Sequence, residues 1–212
     1  MKKLSLLFVL YVLTLTNANA LDIEKLKKEA LQKATAKEYV EIVDSHNTNI
    51  YEKTFRNKQY IFIHSEVEGH TQGYLHHEEN HCVAIADADK WLNTFCMDGA
   101  HYIESRIDFK GDYFTIVFGI NDFKYEVVWK SYYTFKFIND GFYLYQRSVE
   151  DFKRNGKDAQ FESSGYDFDK THIFYRQPRD DSKMTNLIPL ESITDELIIE
   201  LNDKCYKSGK CK

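Results

Sequence analysis

Residues His76–Asp87 read "HHEENHCVAIAD", and the conformation of this stretch decides what kind of protein the chain makes. His77, Glu78 and His81 spell H-E-x-x-H. On a helix, positions i and i+4 bring both imidazoles to one face, with the intervening glutamate placed to activate a metal-bound water. Asp87 follows at an offset from His81 where some zinc peptidases carry a third ligand. A helical stretch would therefore mean a zinc-dependent hydrolase, with His77, His81 and Asp87 as ligands and Glu78 as base.

Three features oppose the helix. Ala84 stands where the extended motif uses glycine to turn the chain sharply back toward the later ligand. A helix here would line up Leu75, Glu79, Cys82 and Ala86 on one stripe and Tyr74, Glu78, His81 and Ile85 on the next, neither of them an apolar face. Cys82-Val83-Ala84-Ile85, with its β-branched residues, fits a strand better. The strand alternative makes Glu78-Glu79-Asn80 a three-residue hairpin loop. His77 and His81 then face each other across two strands, where they could share a cation without any catalytic role for Glu78. The expectation is no cofactor, with zinc as the alternative.

Outward from this stretch, Cys82 is one of four cysteines, with Cys96, Cys205 and Cys211. Four cysteines allow three connectivities. Cys82–Cys96 with Cys205–Cys211 is the expected pairing, because each bridge closes a short local loop. A four-thiolate zinc site would need closer C-x₂₋₄-C spacing. With the cysteines oxidised, a catalytic thiolate is not expected. No G-x-S-x-G is present, and Ser163-Ser164-Gly165 lacks a strand-to-helix setting.

The disulfide expectation agrees with the start of the chain. Residues 1–20 read as a signal peptide: Lys2 and Lys3 form the basic region, Leu4–Leu15 an apolar core too short to span a membrane, and Ala18-Asn19-Ala20 a cleavage site. The expected product is a single β-rich extracytoplasmic domain over residues 21–212, periplasmic or secreted, with no integral membrane segment. Leu21, rather than cysteine, follows the cut, so lipoprotein anchoring is not expected. Without Lys2 and Lys3, 26 basic residues face 33 acidic ones, a formal charge of −7. That balance argues against nucleic acid as a partner.

Aromatic usage points to strands, with 15 Tyr and 15 Phe against 2 Pro. Tyr60–Val67 alternates Ile61, Ile63 and Val67 with Tyr60, Phe62 and His64. Ile103–Phe109 and Tyr113–Phe118 flank a turn at Lys110-Gly111-Asp112, and Tyr132–Ile138 and Phe142–Arg147 flank Asn139-Asp140-Gly141. Glu150–Ser164 reads as a surface loop. Helices are expected at both ends: Asp22 to about Val40, and a segment through Leu197, Ile198 and Leu201 capped by Ser192 or Thr194. The expected fold is α+β, an antiparallel β-meander sheet flanked by N- and C-terminal helices.

The succession "GDYFTIVF" (111–118), "YYTFKFIND" (132–140) and "GFYLYQRSVED" (141–151) resembles the strand pattern of an uncharacterised group of exported bacterial proteins, over about Asp108–Asp151. The resemblance implies an extracytoplasmic β-rich module and carries no catalytic residue onto this chain. The function expected is non-enzymatic binding, with another protein as partner, as for an inhibitor or immunity-like protein. Carbohydrate binding through the aromatic strands, or a structural role in the envelope, is the further alternative.

Overall fold

The computed structural model describes residues 40–71, 77–87, 90–97, 103–122, 127–154, 166–209 and 211. The expected leader and the expected helix from Asp22 lie outside the described residues.

Two antiparallel sheets make up most of the described residues. The first has β1 (Val40–Phe55), β2 (Lys58–Thr71), β3 (His77–Asp87) and β4 (Trp91–Met97) in that order. The second has β5 (Ile103–Lys110), β6 (Tyr113–Asp122), β7 (Val127–Ile138), β8 (Gly141–Arg154) and β9 (Tyr166–Arg176) in that order. The two aromatic hairpins stand where the turn residues put them. Asn139 (φ 46°) and Asp140 (φ 65°) both occupy the left-handed region that a two-residue hairpin turn needs, and Gly141 already pairs with Ile138. The expected surface loop begins later than Glu150, because β8 continues to Arg154.

The α+β expectation is corrected here. In place of one meander sheet flanked by helices there are two sheets, and a single α-helix among the described residues, α1 (Asp195–Lys207). The reason lies in the facing rows of rings. Tyr60 and Phe62 of β2 point the same way as Val83 and Ile85 of β3, and this face meets Phe114, Phe135, Phe137, Phe142 and Leu144 of the second sheet in one core. Phe62 lies 4.9 Å from both Phe109 and Phe114, edge to face, and Phe142 lies 4.9 Å from Phe55 and 4.8 Å from Tyr60. A ring-bearing face of this breadth is buried by a second ring-bearing sheet, where edge-to-face contacts add to the area removed from water.

The other face of the first sheet is also buried at Ile61, Ile63, Ala84 and Ala86, with Trp91 packed against them. Phe135, Phe137 and Phe142 of the aromatic hairpin are inside, whereas Tyr132, Tyr133, Tyr143 and Tyr145 are half-buried.

Helix α1 closes one side of the sandwich against β9. Thr194 Oγ1 accepts the Leu197 N–H at 3.2 Å, and Asp195 and Glu196 sit in the first turn where the helix dipole favours acid. Buried Asn93 fastens the segment before the helix to β4, donating to the carbonyls of Leu190 (2.8 Å) and Ile193 (3.0 Å). Removing the cap in Thr194→Ala is expected to cost about 1 kcal/mol in chemical denaturation. Thr194→Asn, which retains a capping oxygen, should recover most of it.

Both expected disulfides form, Cys82–Cys96 joining β3 to β4 and Cys205–Cys211 tying the chain end to α1. Two such bridges fit a protein that folds in an oxidising compartment. Among the described residues, no helix is long and apolar enough to cross a membrane.

Candidate functional site

The stretch His77–Asp87 is one continuous strand, paired with β2 from His70↔His77 to Tyr60↔Asp87. Glu78-Glu79-Asn80 is therefore not a hairpin loop, and His77 and His81 are not cross-strand neighbours. They lie four residues apart on the same strand, about 13 Å at 3.3 Å per residue. The same four-residue step along a helix spans only about 6 Å, at 1.5 Å per residue. The helix that gives H-E-x-x-H its meaning is absent from these residues.

Asp87 is held at the far end of the strand. It is 3% exposed, its carboxylate pairs with Lys58 Nζ at 3.0 Å, and Oδ1 accepts the Lys90 N–H at 2.9 Å. Two intervening rows, Phe62↔Ile85 and His64↔Val83, stand between its row and that of His81. Its roles there are to close the turn into β4 and to hold the Lys58 ammonium over the Tyr60 ring, at 5.4 Å.

His81 has other companions. Register places Glu66 of β2 directly opposite it, His64 diagonal to it, and Met97 of β4 opposite on its other side. All four belong to the inward face, because His64 and Glu66 continue the row Tyr60–Phe62, and Met97 packs against the core. The apolar core thus ends in a polar corner. His64 is 5% exposed and His81 4%. One ligand atom from each of His64, Glu66 and His81 lies within 4.8 Å of the other two.

The facing sheet contributes Ser105 of β5. Its Oγ is hydrogen-bonded to His64 Nε2 and, at 2.7 Å, to His81 Nδ1. A hydroxyl donates one proton and accepts others, so Ser105 links the two rings by donating to one ring and accepting from the other. Burial is the main influence on His64 and lowers its pKa, with His81 acting in the same direction and Glu66 opposing. Burial thus favours the neutral ring, the state in which a nitrogen lone pair is available to a metal.

Chemically, the corner offers two imidazole nitrogens and a carboxylate on rigid neighbouring strands. Bond lengths to zinc of about 2.0–2.2 Å put ligand atoms about 3.3–3.6 Å apart, so binding an ion at this corner would draw the three groups together and exchange the Ser105 hydrogen bonds for metal bonds. Of the residues singled out from the sequence, the structure brings only His81 here. His64 was visible on the Tyr60–Phe62 face of its strand. Nothing local marked it, Glu66 or Ser105 as partners of His81.

Apart from this corner, a concavity of about 310 Å³ lies beside β4, lined by Trp91, Phe95, Phe118 and Tyr133 and by the acidic start of α1, Asp195 and Glu196. Comparison of the chain with protein-family models, with curated proteins and with solved structures gives no match.

Proposed function

We propose that the protein is an exported, non-enzymatic binding protein whose ligand is a transition-metal ion held by His64, Glu66 and His81. The observation that carries this is the convergence of three ligand side chains from β2 and β3 at the buried end of the core. Imidazole is an ordinary ligand for zinc and copper, and carboxylate is one for zinc. Export, from the leader expected over residues 1–20, would place the site outside the cytoplasm, as the two disulfides suggest. The zinc-hydrolase alternative keeps His81 but requires His77 as co-ligand and Glu78 as base, and the strand geometry gives it no support.

His81 belongs to both schemes, so its removal does not separate them; His64 and His77 do. Metal titration of the purified protein is expected to show one zinc or copper ion bound per chain, with affinity lowered about tenfold or more in His64→Ala and left within about twofold in His77→Ala. The reverse pattern would sink the proposed centre and restore the H-E-x-x-H scheme.

The cavity beside β4 supports a second ligand, a partner protein presenting a basic side chain. Its aromatic walls suit a cation, and its charged lining residues are acidic. A photo-reactive residue in place of Thr94 should cross-link one envelope or secreted protein, and Glu196→Lys should abolish that product. A cross-link that persists unchanged in Glu196→Lys would contradict this reading.

A further inference from the structure

We infer that the corner selects copper over zinc, with the Met97 thioether as its fourth ligand; this rests on the metal reading above and goes beyond it by naming the ion. The register supplies the argument. Glu66, His81 and Met97 form one row across three adjacent strands, paired Glu66↔His81 and His81↔Met97, all on the inward face. Directly paired residues have Cβ atoms about 4.5–5.5 Å apart, so Met97 flanks His81 on one side and Glu66 flanks it on the other. A methionine chain is long and adaptable, and Met97 sits half-buried against the core in the same row as His81.

The ligand set that results is two imidazoles, one carboxylate and one thioether. Zinc is bound by thiolate, imidazole and carboxylate, whereas a thioether favours soft Cu(I). A protein folded in an oxidising compartment, with all four cysteines closed into disulfides, has no thiolate to offer a soft metal. Met97 supplies the soft donor in a form that forms no disulfide.

The test is competition for Cu(I) and for Zn(II) against chromophoric chelators, without oxygen, using ascorbate so that the disulfides stay closed. The wild-type protein should prefer Cu(I). Met97→Leu should lose about tenfold or more in Cu(I) affinity, the scale on which even second-shell losses weaken metal sites. Its Zn(II) affinity should change less than about threefold, since zinc does not depend on a thioether. If both metals bind and the variant shifts them equally or not at all, copper selection through Met97 is wrong while the metal centre stands. If neither metal binds the wild type, both fall. Should Met97→Leu fold poorly, selenomethionine protein carrying Met184→Leu answers the question without touching position 97. X-ray absorption of the Cu(I) form should then show a copper–selenium bond, and its absence would overturn the inference.

Discussion

Phe142→Ala is expected to remove about 3–5 kcal/mol of stability, a large share of the roughly 5–15 kcal/mol that holds a domain of this size. Phe142 is 2% exposed and sits where the two sheets meet. Its ring lies 4.9 Å from Phe55 and 4.8 Å from Tyr60 on the first sheet, and 4.7 Å from Phe114 and 5.3 Å from Phe137 on the second. Truncation would open a cavity walled by rings that are themselves wedged between strands, and strands cannot collapse inward without breaking register. Urea denaturation measures the effect. Phe142→Leu, which fills more of the space, should lose clearly less, and a loss under about 1 kcal/mol in the alanine variant would show that the sheets do not pack through this ring.

The second large effect concerns the Cys82–Cys96 bridge. With 14 residues of sequence separation, it constrains the unfolded chain enough to contribute about 3 kcal/mol, against about 2 kcal/mol for Cys205–Cys211 with a separation of 6. The difference follows from loop length, so the Cys82→Ala/Cys96→Ala double variant should be the less stable of the two. It also bears on the metal centre. Cys82↔Cys96 is the pair next to His81↔Met97 in the ladder, so the bridge fixes the register that sets Met97 beside His81. The double variant should bind metal more weakly even below its unfolding temperature, whereas loss of Cys205–Cys211 should leave binding unchanged. Equal metal affinity in all three proteins would show that the bridge does not position the site.

Much of the fold is written in local patterns. The turn at Asn139-Asp140, the alternation through Tyr132–Ile138 and Phe142–Arg147, the Thr194 cap and the short-loop disulfides each depend on residues near one another in sequence, and each is present. The arrangement of strands into two sheets depends on which ring face meets which, a long-range choice that alternation does not encode. The same limit governs the site. H-E-x-x-H is legible because it is contiguous, yet on a strand the Cα atoms of its two histidines are about 13 Å apart, where one turn of a helix would bring them to about 6 Å. The residues that do meet His81 come from β2 and β5. Their proximity rests on the β2–β3 register and on sheet packing, neither of which leaves a motif. Asp87 shows the converse: an acid at a suggestive spacing that instead closes a turn and pairs with Lys58.

The most direct measurement is the metal content of the protein recovered from the periplasm or medium of an expressing host, compared with His64→Ala and His77→Ala made the same way. After equilibration with copper or zinc and desalting, the account predicts one ion per chain in the wild type and in His77→Ala, and a metal-free, folded His64→Ala. A folded wild type that retains no metal, or a His64→Ala protein that retains as much as the wild type, would contradict it.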